Sequence, residues 1–408
     1  MGFIQFLKRN PRVVLFILVF GFALYATILF LTLGQRGYDN DLVVLSGEFL
    51  KKNIAIPPPH IPIRDVSNYY NNFYIYFGPL SSMLLVPFVL IFGIRFPQVS
   101  LGIFSLLASF FASYKISRNF KFSPVDSLWL ATFVVFSTVL YSSSVINVTA
   151  YQVEVLGVPF VLLSLWAYFS KKHPFFMGLF LGIAILTRFT LVLGLVFFFI
   201  EFLRKRLSFK HGVILFLPVL CALILLGAYN QRRFHSFLET GYNYNISKSD
   251  YPISENFKYG DIKALHIPAN LYSFLFMAPE PLRVKDNQGL ILRFPYLKAN
   301  PWGIAIWFTS PLFLLLVLHF KKGKYTISSG LAALALSGPV FLWYSIGFAQ
   351  FGYRYALDFL PFLFILLLPC LFPKLSKTAI MLIILGVLFN CIYTDSMWEI
   401  YPVFWIYP

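Results

Sequence analysis

The feature that most constrains this chain is a succession of eleven apolar runs, at 13–33, 75–92, 98–114, 127–146, 153–170, 174–203, 211–229, 301–319, 326–348, 355–372 and 377–394. Many of them approach the ~20 residues that span a bilayer. Only 12% of the residues are charged and 59% are hydrophobic, whereas a soluble domain carries about 25% charged residues. A water-soluble fold would have too much apolar surface to hide, so the chain reads as an all-α polytopic membrane protein. A soluble enzyme, a secreted protein and a disordered chain are excluded.

The net charge of +17 is dispersed between the apolar runs, which speaks against a nucleic-acid partner. Cys221, Cys370 and Cys391 show no paired spacing, and hence no disulfide framework or metal site. Lys8, Arg9 and Arg12 precede the first run without a small-residue cleavage site, so 13–33 is expected to be a retained helix.

The positive charges set a topology. Short loops at Lys115/Arg118/Lys121, Lys171/Lys172, Arg204/Lys205/Arg206/Lys210, Lys321/Lys322/Lys324 and Lys374/Lys377, with the N-terminal three, hold about half of the 33 Lys and Arg. They hold only Asp126 among the acids, which assigns them to the cytoplasm. Parity then demands that 75–92, with Pro79 and Pro87, does not cross, so it is expected to be a juxtamembrane or re-entrant segment. The 30 residues of 174–203 have basic loops on both flanks and must leave and return, with Arg188 at the turn. Each half spans only about 21–22 Å as a helix. The expected architecture is about eleven crossings and one re-entrant piece in a single domain over 1–408. Its outer loops are 34–97, counting the re-entrant piece, and 231–300, with the N-terminus inside and the C-terminus outside. Those loops are expected to be ordered, with short helices.

Several polar groups stand out against this background. Tyr38-Asp39-Asn40-Asp41 follows the first helix, and its carboxylates suit a general base or oxygen ligands for a divalent cation; a helix N-cap is the plainer reading. Glu154 begins an otherwise apolar crossing with no basic neighbour in sequence, where a charge costs ~2.5–3.5 kcal/mol unless paired or facing a wet cavity. Arg188 offers forked donors for a phosphate, or snorkels to headgroups. Tyr353-Arg354-Tyr355 leads to Asp358, and Arg354 and Asp358, at i,i+4, either pair with each other or join a site. Arg233, His235 and Glu239, after the helix at 211–229, suit a lid or acceptor-binding loop, or an interfacial belt. The histidines show no metal-ligand spacing, and no P-loop, HExxH, GxSxG or dinucleotide fingerprint is present.

Taken together, these features resemble the C-type (GT-C) glycosyltransferases that use polyprenyl-phosphate sugars, among them the protein O-mannosyltransferases and the aminoarabinose transferases. The resemblance rests on Tyr38-Asp39-Asn40-Asp41, the non-crossing segment, Glu154, Leu186-Thr187-Arg188, Arg232 through Tyr242, and Phe351-Gly352-Tyr353-Arg354-Tyr355. It implies a GT-C bundle and an inverting transfer from a polyprenyl-phosphate sugar donor to a lipid, glycan or protein acceptor on the non-cytoplasmic face. On that resemblance Asp39 matches the first catalytic acid, with Asp41 competing for the role, and Glu154 approximately matches the second. A divalent cation, if used, would sit on Asp39 and Glu154. Arg188 matches a donor-phosphate contact, with Arg354 beside it; Tyr353, Arg233, His235 and Glu239 fall to the acceptor or sugar. The motif here is Asp-Asn-Asp rather than Asp-Glu, and Tyr76-Phe77-Gly78-Pro79 lacks the basic residue some members carry there. The alternatives are a flippase or transporter of a lipid-linked sugar, disfavoured by the lack of an internal repeat, and a glycan ligase or polymerase of related fold.

Overall fold

The computed structural model describes residues 10–33, 40–58, 65–206, 208–249, 253–286 and 289–394, and these are mostly helical. Helix α1 (Pro11–Leu33) leads to a short α2 (Asp41–Leu50), strands β1 (Val66–Tyr69) and β2 (Asn72–Ile75), and α3 (Leu80–Phe92). There follow α4 (Ser100–Asn119), α5 (Pro124–Phe136), α6 (Val139–Val145), α7 (Thr149–Phe169), α8 (Pro174–Ile185), α9 (Leu195–Lys205) and α10 (Phe209–Phe234). Next come α11 (Ile253–Phe257), α12 (Ile267–Leu275), and strands β3 (Glu280–Asp286) and β4 (Gly289–Lys298). The chain ends with α13 (Ile306–Thr309), α14 (Leu314–Leu318), α15 (Thr326–Leu342), α16 (Leu360–Leu371) and α17 (Lys377–Tyr393). Among the described residues, α1, α4, α7 and α10 are long and apolar enough to cross a membrane, and α5–α6, bent by 54°, makes a fifth span if taken as one. This is an integral membrane protein.

The basic loops gather at one end of the bundle. Asn119 donates to Ser170 Oγ at 2.8 Å, Phe120 packs on Phe169 and Tyr325, and Phe122 packs on Phe372. Arg204 lies over the Tyr325 ring, and Arg12 at the start of α1 reaches Asp126 at 3.5 Å and the Leu375 carbonyl at 3.3 Å. At this end Glu201 accepts from Tyr168, Arg204 and Ser328, which ties α7, α9 and α15 together. A buried carboxylate is tolerable there because each lone pair it presents meets a donor.

Segment α3 has both ends at the opposite end of the bundle, where α1 finishes. Gly78 N and Leu80 N donate to the carbonyls of Thr187 and Leu186, at 3.2 and 3.4 Å. Just beyond α3, the carbonyls of Ile94 and Phe96 accept from Asn40 Nδ2 at 2.9 and 3.3 Å. Helix α2 lies alongside, and Ser46 Oγ donates to the Ser82 carbonyl at 2.8 Å.

Small residues let the helices approach. Gly178 and Gly182, one turn apart on α8, face α10 so closely that a Cβ on Gly178 would lie 1.9 Å from the Leu215 carbonyl oxygen. Gln152 spans the break between α6 and α7: its Nε2 donates to the carbonyls of Ser144 and Ile146, and its Oε1 accepts from Gly102 N at 2.8 Å. These bonds satisfy backbone groups that a bilayer would leave without partners.

The structure corrects three expectations. The chain is not all-α: both long loops carry two-stranded antiparallel hairpins, β1–β2 and β3–β4. Between β1 and β2, Tyr70 and Asn71 take φ of 48° and 62°, the two positive values that a two-residue hairpin turn requires, and the flanking Tyr, Phe and Ile suit strands. Run 301–319 is not one helix but α13, a 3-10 turn at Pro311–Phe313, and α14, interrupted where Pro311 lacks an N–H to continue α13. Finally, α10 runs on to Phe234, so Arg232 and Arg233 belong to a helix rather than a loop.

Candidate active site

Three chain segments converge beyond the start of α7. Asp65, just before β1, receives the Ala150 amide on Oδ2 at 3.1 Å and the Tyr76 hydroxyl on Oδ1 at 2.5 Å. It thereby caps α7 with a negative charge at the positive end of the helix dipole. Glu154 follows Ala150 by four residues, so it stands on the same face of α7, one turn deeper.

The second segment is the turn between α8 and α9. Thr187 Oγ1 bonds back to the Ala184 carbonyl at 2.6 Å and closes α8, Arg188 is extended, and Phe189–Gly194 forms a 3-10 helix. The third is the 3-10 helix Arg354–Asp358, just before α16.

Charges pair crosswise between these segments. Arg188 Nη1 lies 3.0 Å from Asp358 Oδ1 and 3.5 Å from Glu154 Oε1, while Arg354 Nε lies 3.7 Å from Glu154 Oε2. Thr190 Oγ1 donates to Asp358 Oδ2 at 3.0 Å. Arg354 and Asp358 are not partners of each other, because a 3-10 helix turns every three residues and does not bring i and i+4 face to face. The four side chains are deeply enclosed, with exposures of 10% for Arg188, 11% for Arg354, 2% for Glu154 and 1% for Asp358. Burial at this depth is affordable only because two cations offset two carboxylates. The match is incomplete for Glu154, whose Oε2 has no hydrogen-bond donor among the described residues and holds Arg354 only by charge.

A cavity of about 600 Å³ opens beside this cluster. Asp65, Tyr76, Glu154, Arg188, Arg354 and Tyr355 form its polar wall, and Phe189, Val192, Leu193, Leu226, Val340 and Trp343 contribute an apolar one. Arg188 and Arg354 both lie near the Tyr355 ring, at 5.8 and 5.0 Å from its centroid. The arrangement can hold an anion on two guanidinium groups next to an apolar groove.

Arg233 holds one wall in place. It is 1% exposed, its Nη1 donates to the carbonyls of Ile75 and Phe77, and its Nη2 donates to Asn230 Oδ1 at 2.6 Å. Together with the Leu186–Thr187 carbonyls it clamps Tyr76-Phe77-Gly78. A Cβ on Gly78 would lie 2.0 Å from the Leu186 oxygen, so only glycine permits this contact.

Of the residues singled out from sequence, Glu154, Arg188, Arg354 and Arg233 meet at the cavity. Asp39 lies outside the described residues. Asp41 is buried in the first turn of α2, away from the cavity lining. His235 closes α10 in a left-handed conformation with its ring beside Tyr69, and Glu239 accepts from Gly241 N and Asn243 Nδ2, both at 2.7 Å. Tyr353 donates to Asn270 Oδ1 at 2.9 Å. None of these last three lines the cavity, whereas Asp65, Tyr76, Tyr242 and Tyr355 do. Among the described residues no group of three or more His, Cys, Asp or Glu is placed to hold a metal ion.

No protein-family model matches the sequence, and no curated protein matches it. Among solved structures, the chain is similar to ArnT from Cupriavidus metallidurans bound to undecaprenyl phosphate, with a TM-score of 0.51 and 16% identity over 91% of this chain and 61% of that one. The same protein in its apo state gives a TM-score of 0.47 at 16% identity over 90% and 61%. The chain thus spans about 61% of the length of that ArnT chain. At this identity the likeness is one of fold alone.

Proposed function

We propose that this chain is a membrane glycosyltransferase that moves a sugar, with inversion, from a polyprenyl-phosphate donor to a lipid, glycan or protein acceptor. On this reading 1–408 acts as one membrane-embedded unit of about eleven crossings, with its basic loops in the cytoplasm and the cavity on the non-cytoplasmic face. The observation that carries the proposal is the pair Arg188 and Arg354, converging on a 600 Å³ cavity whose other wall is apolar. A polyprenyl phosphate has that composition: an anionic head and a long apolar tail. Binding of undecaprenyl phosphate to the ArnT of like fold supports the same ligand class here.

In the transfer, negative charge builds on the phosphate oxygen as the bond to the sugar breaks. Fixed guanidinium groups in a water-poor cavity stabilise that charge without having to reorganise. Glu154 keeps both arginines compensated while the cavity holds no anion. The test is native mass spectrometry of the purified protein with undecaprenyl phosphate. Wild type is expected to retain the lipid, and Arg188→Ala to retain it at least tenfold less well. Equal retention by the two proteins would refute the donor site.

A further inference from the structure

We propose that Asp65 is the base that takes the proton of the acceptor hydroxyl. The inference rests on the transferase reading above and names a residue whose sequence context gives no hint of it.

Two carboxylates face the cavity, Glu154 on α7 and Asp65 bonded to the α7 amide of Ala150 four residues before it, and their surroundings differ. Glu154 lies between Arg188 and Arg354, and a donor phosphate on those cations would meet it at close range. Asp65 makes no ion pair within 4 Å among the described residues and feels Arg354 only at longer range; it is held by an amide N–H and a phenol, both neutral donors. A carboxylate presents about four lone-pair positions, and these two bonds leave the others for an incoming hydroxyl.

Its position is also fixed. The Tyr76 ring packs on Tyr242 and Phe77, with centroids 4.4 and 4.5 Å away, so the phenol that grips Asp65 cannot swing aside. Tyr76 belongs to the segment clamped by Arg233 and by the Leu186–Thr187 turn. The same clamp therefore sets the distance from Asp65 to the arginines, and a general base is useful only when placed within hydrogen-bond reach of its proton.

The step balances as follows. The acceptor oxygen forms a bond to the anomeric carbon while the bond from that carbon to the phosphate oxygen breaks. The electron pair leaves with the polyprenyl phosphate, and the acceptor proton passes to Asp65 and on to solvent.

The experiment compares wild type, Asp65→Asn and Asp65→Ser in a strain lacking the chromosomal copy. The readouts are the initial rate at which the missing surface glycan mass reappears and the retention of undecaprenyl phosphate by each purified protein. Asn is isosteric with Asp and keeps a side-chain oxygen to accept from Ala150 N, so α7 keeps its cap in that variant. The expected result is a loss of 100-fold or more in rate for both Asp65 variants, with lipid retention within twofold of wild type. Wild-type rates in Asp65→Asn or Asp65→Ser would reduce Asp65 to a helix cap and overturn the proposal. Loss of lipid retention along with rate would overturn it too, by showing a structural role. A wild-type protein that retains no undecaprenyl phosphate would instead overturn the transferase reading itself.

Discussion

Glu154→Gln separates a carboxylate that compensates the arginines from one that holds the donor. Glu154 Oε1 lies 3.5 Å from Arg188 and Oε2 lies 3.7 Å from Arg354. At an effective dielectric of about 20, each pair attracts by about 4–5 kcal/mol before desolvation is subtracted. Removing one partner of a buried pair leaves an uncompensated charge and costs roughly 3–5 kcal/mol of stability. The amide should therefore lower the unfolding midpoint of the ligand-free protein. The same change should raise affinity for an anion. A phosphate seated on both guanidinium groups would stand roughly 5–6 Å from the Glu154 carboxylate and be repelled by about 3 kcal/mol at that dielectric. Relief of that repulsion predicts retention of undecaprenyl phosphate tightened by about 10- to 100-fold. Saturating lipid should then restore most of the lost stability, since a ligand that binds only the folded state stabilises it. Native mass spectrometry gives the affinity, and thermal unfolding with and without lipid gives the stability. Weaker or unchanged binding would refute the reasoning, because it would mean that Glu154 does not compete with the phosphate for Arg188 and Arg354.

Other outcomes are specific enough to check. Gly178→Val places a side chain where a Cβ already sits 1.9 Å from the Leu215 oxygen, and should cost at least about 1–3 kcal/mol, read as lost monodisperse protein in size exclusion. Gly21→Val, with nothing within 4 Å of its Cβ, should leave the yield unchanged. Arg233→Gln loses charge-assisted bonds to Ile75 and Phe77, worth about 1.5–3 kcal/mol each, so amide exchange at Gly78 and Leu80 should speed up while the rest of the bundle stays protected. Chelators should not slow transfer, because a divalent ion on Glu154 would have to displace two guanidinium groups.

What the sequence disclosed followed from local pattern. The loops rich in Lys and Arg do share one end of the bundle, and a 30-residue run flanked by such loops had to turn back at Arg188. The crosswise ion pairs were not legible, because an i,i+4 spacing speaks for contact only on an α-helix and residues 354–358 form a 3-10 helix. Asp65 was hidden for a different reason. Its partner amide, Ala150, is 85 residues away, and no periodicity joins a loop acid to a helix start at that distance. The β1–β2 hairpin left a weak signal in its Tyr- and Asn-rich turn, but the hydropathy that marks the spans says nothing about such a ribbon.

The crosswise pairing also bears on the order in which the protein is made. Thr190 meets Asp358 across 168 residues of chain, an interval of roughly ten to thirty seconds at ordinary rates of synthesis. During that interval Arg188 has emerged and Asp358 has not, so the turn carries a cation with half of its compensation still on the ribosome. The site is then among the last features to mature. A chain that ends before residue 354 leaves Arg188 with Glu154 as its one carboxylate partner in the cluster.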